Sequence, residues 1–212
     1  MTRAPSFAGV ILAAGESSRM GRDKALLPWP PQLSGSVAKD TFLSAAIRSL
    51  ASATDFILVV AGKNEVALEP VAYSNGASVV TNPDPGRGQF SSLQVGLHEV
   101  LNRGRDAAMI TLVDRPPARP ATVATLRVAF EAAQQNIWAV VPEFSGRHGH
   151  PFVVGRELIE IFLQAPATAS ARDLQRLYHE RIQYIAVNDP FVSMNINTAE
   201  DYAGLTHETA GQ

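Results

Sequence analysis

The 212-residue sequence contains no cysteine, which removes disulfides, thiolate zinc sites, iron–sulfur clusters and cysteine nucleophiles from consideration. Neither sign of charge dominates. Eighteen Lys and Arg stand against 20 Asp and Glu, a net of −2, too balanced to point to nucleic acid or an acidic membrane, so any anion site must be local. Lysine is scarce, with three in the chain. There is no internal repeat, and the N-terminal apolar run, Phe7 to Ala14, is too short to span a membrane and lacks a signal-peptide cleavage pattern. These absences lead us to expect a cytoplasmic protein. Hydrophobic residues, in contrast, make up 46% against 18% charged, which excludes an intrinsically disordered chain. At roughly 150 residues per domain, the length suits one domain over residues 1–212, with a core over about 7–205.

Short apolar runs alternate with stretches of helical spacing, the pattern of an α/β protein with a largely parallel sheet. The expected strands are Phe7 to Ala13, Phe56 to Ala61, Ser78 to Thr81, Ala107 to Val113, Trp138 to Val141, Phe152 to Val154 and Ile182 to Val187. Helical faces are read at Phe42 to Leu50, Ser92 to Leu101 and Val123 to Ala133, with shorter helices at Arg156 to Phe162 and Ser170 to Tyr178. The Pro-, Gly- and Ser-containing stretch over 28–40 is expected to be a mobile surface excursion, and His207 to Gln212 a frayed tail.

Five segments carry candidate chemistry. After the first strand, small residues at Ala13, Ala14, Gly15, Ser17, Ser18 and Gly21 let backbone N–H groups approach an anion, and Arg19 and Lys24 add two cations. The plain alternative is a Gly/Ser turn with two solvated cations. The spacing is neither that of the P-loop nor that of the dinucleotide-binding fingerprint. Asp114 ends a buried-type strand, where parallel sheets present ligand-binding groups, and could hold Mg²⁺ together with substrate phosphate oxygens, or else cap the turn before Pro116 and Pro117. Ser91 and Ser92 follow Gly88 at a helix start, suited either to a polar base edge or to simple N-capping. Thr198 can N-cap a final helix, with Asp201 completing the box. His148 and His150, without a third ligand nearby in sequence, do not make a zinc site. His150 reads equally as a turn residue or as part of a substrate wall.

The run Leu12-Ala13-Ala14-Gly15-x-Ser17-x-Arg19-Met20-Gly21-x-x-Lys24 resembles the opening motif of the nucleotidyltransferases that include the molybdenum cofactor cytidylyltransferases, their guanylyltransferase relatives and the methylerythritol-phosphate cytidylyltransferases. The resemblance continues in order through Gly88 to Leu97, Asp114-Arg115-Pro116, Gly149-His150-Pro151 and Asn195-Ile196-Asn197-Thr198. It implies a single three-layer α/β/α domain with a mostly parallel, mixed sheet of Rossmann-like type. It implies triphosphate contacts for Arg19 and Lys24, base or ribose contacts for Leu12, Ala13, Ala14 and Gly15, and nucleotide contacts for Gly88, Ser91 and Ser92. Asp114 and Asn197 would be the Mg²⁺ ligands, and Arg115 and His150 would lie on the acceptor side. Two departures stand out: Asn195 and Asn197 replace the family's acids, and Arg115 takes a place often neutral.

The implied reaction moves a nucleoside monophosphate from a nucleoside triphosphate to a phosphorylated small acceptor and releases pyrophosphate, with Arg19, Lys24 and Asp114 as the catalytic set. Ala14 leans toward CTP, with molybdopterin or its molybdenum form as acceptor. The alternatives are GTP, a sugar-phosphate acceptor, or a nucleotide-binding regulator or chaperone with a protein partner.

Overall fold

A computed structural model describes residues 5–15, 22–31, 40–166 and 168–209, with side chains up to residue 205. In chain order its elements are β1 (Phe7–Leu12), β2 (Pro28–Trp29), β3 (Asp40–Thr41), α1 (Phe42–Ala51), β4 (Phe56–Ala61), α2 (Glu65–Ser74), β5 (Ser78–Thr81), α3 (Gln89–Asn102), β6 (Ala107–Leu112), α4 (Pro120–Glu131), β7 (Ala139–Phe144), β8 (Arg147–His148), β9 (Phe152–Gly155), α5 (Arg156–Gln164), α6 (Ala171–Leu177), β10 (Ile182–Ala186) and α7 (Ala199–Thr209). Short 3-10 turns cover Lys24–Leu26, Pro85–Arg87, His179–Arg181 and Pro190–Ser193.

The main sheet has the order β10-β7-β9-β6-β1-β4-β5, with β8 paired to β7. Its long pairings are parallel except those of β9, which runs antiparallel to both β6 and β7. The mixed, mostly parallel α/β sheet read from the sequence is therefore the fold. All six residues of β1 are buried, as a strand covered on both faces must be. Side chains alternate across the pleat. Phe7 and Ile11 face a layer with Leu43, Ile47 and Leu50 of α1, Leu68 of α2 and Leu126 of α4, while Val10 and Leu12 face Leu93 and Leu97 of α3 and Phe162 of α5. Each fully buried side chain of this size contributes roughly 1.5–3 kcal/mol, so the frame stands on its apolar faces without help from the polar loops.

Most expected strands and helices fall within a few residues of those observed. One helix escaped: α2 carries Pro70 in its interior and buries only Leu68 and Ala72, so it shows little of the periodicity that identifies a helix. Helix α3 begins at Gln89 rather than Ser92, which places both serines inside its first turn. Helix α7 runs to Thr209, so His207 is helical backbone rather than tail. The ends of the 28–40 excursion form the antiparallel β2–β3 ribbon, and Trp29 packs edge-on against Phe42 at 4.9 Å and Phe191 at 5.7 Å. The centre of that excursion lies outside the described residues. Among the described residues no helix is long and apolar enough to cross a membrane.

The topology fixes where a ligand can sit. From β1 the chain winds outward through β4 and β5 and then returns to β6 on β1's other side, so the loops after β1 and β6 diverge and leave a crevice at the strands' C-terminal ends. Leu12 is paired in register with Leu112, which sets residues 13–15 beside residues 113–115.

Candidate active site

One wall of the crevice is the segment after β1. Ala13 N–H donates to the Val60 carbonyl at 2.8 Å, extending the β1–β4 pairing by one step. Gly62 makes this approach feasible, since a Cβ there would lie 2.9 Å from the Ala14 carbonyl oxygen. Asn64 then ties three segments together. Its Nδ2 donates to the Ala13 carbonyl at 2.9 Å and to Asp23 Oδ2 at 2.6 Å, while its Oδ1 accepts from Gly62 N at 3.0 Å. Asp23 in turn accepts from Ala25 N at 2.9 Å and caps the turn that carries Lys24. Sequence reasoning missed Asn64, whose only cue was its place in a Gly-Lys-Asn turn just after a buried strand. Arg19 and Gly21 lie outside the described residues.

The other wall comes from the segment after β6. Val113 N donates to the Leu12 carbonyl at 3.1 Å, and the Asp114 carbonyl accepts from Ile196 N at 2.9 Å. Asp114 Oδ1 is buried with no hydrogen-bond partner among the described residues, so the carboxylate does not act as a turn cap. The Ile196 contact brings Asn197 alongside, and Lys24 Nζ donates to Asn197 Oδ1 at 3.5 Å. Thr198 Oγ1 accepts from Asp201 N at 3.1 Å, while Asp201 Oδ2 accepts from Asn197 N and Thr198 N at 2.8 and 2.9 Å. Those two backbone donors hold the Asp201 carboxyl below its ordinary range, with Lys24 adding a smaller effect. The expected cap at Thr198 is thus present, and it fixes the angle at which Asn197 faces Lys24.

Between these walls lies a cleft of about 360 Å³ lined by Leu12, Ala14, Gly15, Lys24, Ser92 and Asp114, with Gly88 and Gln89 at its edge. Ser92 borders it and Ser91 does not. The Ser91 hydroxyl donates to the Gly88 carbonyl at 2.8 Å, and buried Asn82 donates through Nδ2 to both serine hydroxyls at 2.9 Å. Asn82, also missed from the sequence, therefore holds the start of α3 against the cleft. A buried carboxylate oxygen without a hydrogen-bond partner among the described residues, on a segment joined to the one that carries Asn197 by the Ile196 contact, suits a hard divalent cation. No cluster of three or more His, Asp or Glu able to hold a metal occurs among the described residues, so substrate oxygens would have to complete the shell.

A second cavity of about 960 Å³ adjoins the first on the α3 side of the sheet, and Arg115 and His150 both line it. Arg115 Nη1 donates to the Val192 and Met194 carbonyls at 3.3 and 3.4 Å, and its Nε is buried without a partner among the described residues. Burial lowers the Arg115 pKa, and neighbouring Asp114 opposes that shift. His150 N–H donates to the Val192 carbonyl at 2.9 Å, while its ring packs edge-on against Phe152 at 5.2 Å.

Burial, and secondarily the Arg115 charge, push the His150 imidazole down to about 3 from 6.5. The unfolded chain therefore binds a proton below about pH 6.5 that the folded chain refuses. Stability is expected to be flat above pH 6.5 from this group and to fall as the pH drops toward 3, by up to about 1.4 kcal/mol per pH unit. Urea denaturation at a series of pH values, compared with His150→Gln, checks this: the variant should lose that part of the slope.

The chain resembles known proteins along most of its length. The sequence profile of the MobA-like NTP transferase domain matches residues 9–183. The molybdenum cofactor cytidylyltransferase of Escherichia coli (strain K12) is 25% identical over 194 residues, 91% of this chain and 92% of that protein. A probable molybdenum cofactor guanylyltransferase of Mycobacterium avium (strain 104) is 26% identical over 211 residues, 99% of this chain and all of that one. Among solved structures, Rv0371c from Mycobacterium tuberculosis H37Rv superposes with a TM-score of 0.78 at 26% identity, covering 95% of this chain and 98% of that one. Its complex with manganese superposes at 0.72 and 25% identity with the same coverage.

Proposed function

The chain belongs to the MobA-like NTP transferase family, and from that premise we propose that this nucleotidyltransferase moves a cytidylyl group from CTP to the phosphate of a molybdopterin-type acceptor and releases pyrophosphate. The observation that carries the reading is that Lys24 and Asp114, whose Oδ1 is buried without a hydrogen-bond partner among the described residues, line one cleft at the β1–β6 crevice, with Asn197 hydrogen-bonded to Lys24. Asp114 Oδ1 and Asn197 Oδ1 would hold Mg²⁺, which when bound supplies neutralising charge to phosphate oxygens.

Transfer of this kind asks a protein mainly to align reacting oxygens and to stabilise charge as it develops. In our reading Lys24 Nζ, with Arg19, meets the phosphates that leave as pyrophosphate, and the backbone from Leu12 to Gly15 seats the base and ribose. Gly88 and Ser92 close the base side. Asn82 keeps Ser91 and Ser92 in place, so Ser91 contributes by position. Arg115 and His150 face the acceptor, His150 as a neutral imidazole able to exchange a hydrogen bond without adding charge. An acceptor phosphate is already ionised at neutral pH, so no residue need act as general base. The Ala14 methyl is the sequence feature that favours CTP. Guanylyl transfer is the second reading, supported by the likeness to the Mycobacterium avium protein over its full length.

The test is thermal stabilisation by CTP, GTP, ATP and UTP, each with and without Mg²⁺, because a ligand that binds only the folded state must raise the melting temperature. A Mg²⁺-dependent shift is expected with CTP and should be lost in Lys24→Ala. A shift only with GTP would transfer the reading to guanylyl transfer, and none with any triphosphate would overturn it.

A further inference from the structure

The larger cavity has a composition that a single acceptor phosphate does not account for. Its floor is apolar: Leu12 on β1, Ile110 and Leu112 on β6, Phe152 on β9 and Val141 on β7. These four strands are adjacent, and three spacings of about 4.8 Å make the floor roughly 14 Å wide. The walls are basic. Arg87, Arg115, Arg147, Arg172 and Arg176 line it, and no Asp or Glu does so among the described residues. One third of the chain's 15 arginines thus surround one cavity in a protein of net charge −2.

Four of these five charges fall in two groups. Arg115 follows β6 and neighbours Asp114, at the end where transfer is proposed. Arg147 lies on β8, hydrogen-bonded to β7, and α6, which bears Arg172 and Arg176, leads through the 179–181 turn into β10, the edge strand beyond β7. Arg176 has a 4.0 Å ion pair with Asp173, both ends well exposed, and such a pair is too weak to occupy it. Arg147 and Arg172 have no ion pair among the described residues. At the mouth, His148 stacks on Tyr184 at 3.9 Å and 13°.

We infer that the acceptor is a flat molecule bearing a second anionic group far from the phosphate that receives the nucleotide, with Arg147, Arg172 and Arg176 as the site for that second anion. The flat body matches the sheet floor, and like-signed side chains around an apolar bed are stabilised only when an anion offsets their repulsion. The inference rests on the nucleotidyl-transfer reading for the identity of the first anion.

Two flat probes that differ by one permanent charge test it, naphthalene-2-sulfonate and naphthalene-2,6-disulfonate, titrated calorimetrically into the protein. The disulfonate is expected to bind at least about tenfold tighter, with a preference that shrinks as salt rises. In Arg172→Gln/Arg176→Gln the preference should fall to about threefold or less, and Arg147→Gln should reduce it independently. All three positions are exposed, and a melting curve checks that each variant folds. Equal affinities, no binding of the disulfonate, or a preference that survives the double substitution would overturn the inference. The CTP-dependent melting shift of the parent protein separates the two readings. A shift without a probe preference removes the second-anion site alone, whereas no shift removes the nucleotidyl-transfer premise.

Discussion

Replacing Asp114 with alanine is expected to cut pyrophosphate release by about 10³-fold or more, a loss of ~4 kcal/mol of transition-state stabilisation, while leaving the melting temperature unchanged or slightly raised. The two halves of this result have one cause. Asp114 Oδ1 is buried without a hydrogen-bond donor among the described residues, so in the free protein that oxygen carries a desolvation cost that no hydrogen bond from them repays. An alanine removes that cost, and the backbone bond from Ile196 N to the Asp114 carbonyl does not depend on the side chain. A group that costs stability in the free protein yet lines the same cleft as Lys24 is what a cation- and phosphate-binding carboxylate should be. Pyrophosphate release with CTP, Mg²⁺ and acceptor is the measurement. Activity above a tenth of the parent would refute the role of Asp114. A parent that binds CTP yet releases no pyrophosphate with any acceptor would favour a nucleotide-binding regulator, the alternative raised by Asn195 and Asn197 in place of acids.

What could be read in the sequence, and what could not, divides along a physical line. β1, β4, β6 and the apolar faces of α1, α3 and α4 were legible because burial on both sides of a parallel sheet writes itself as short apolar runs and helical spacing. Lys24, Asp114 and Ser92 were legible as candidates because the loops that carry them end strands or begin helices, whereas Asn197 was named through the family resemblance. Asn64 and Asn82 were not. Each works by hydrogen bonds to segments distant in sequence, Asn64 to Ala13 and Asp23 and Asn82 to the start of α3, and no periodicity or spacing announces such partners. Helix α2 hid for the opposite reason: its exposed Val66 and interior Pro70 blur the one local signal a helix has. The division of labour between Ser91 and Ser92 follows from a helix start three residues earlier than the apolar spacing suggested, since one turn's rotation decides which hydroxyl meets the cleft.

The same reasoning makes Gly149 a position of large effect although the glycine itself need touch no nucleotide. A Cβ added at Gly149 would overlap the carbonyl group of Val192, and the obstacle is backbone, which cannot rotate away as a side-chain tip could. Gly149→Ala must therefore push the 190–194 turn outward. That turn receives His150 N–H at the Val192 carbonyl and offers the Val192 and Met194 carbonyls to Arg115, and three residues on it sets Asn197 beside Lys24. Overpacking costs about 1–3 kcal/mol and a lost buried hydrogen bond about 0.5–1.5 more, so urea denaturation should find the variant less stable by ~2–4 kcal/mol. At about 2–4 °C per kcal/mol for a chain this size, the melting temperature should fall by roughly 5–15 °C. Gly204→Ala supplies the contrast: it lies within α7 and its Cβ would meet nothing within 4 Å, so it should be neutral or stabilising by up to about 1 kcal/mol. The Mg²⁺-dependent CTP shift should also shrink in Gly149→Ala, measured at a temperature where the variant is fully folded, because Asn197 moves with the turn. If stability falls but the shift stays intact, the 190–194 turn is a structural support only and Asn197 is held by its Asp201 cap alone. If neither changes, the packing of Gly149 beneath Val192 is wrong, and with it the account of how Arg115 is anchored.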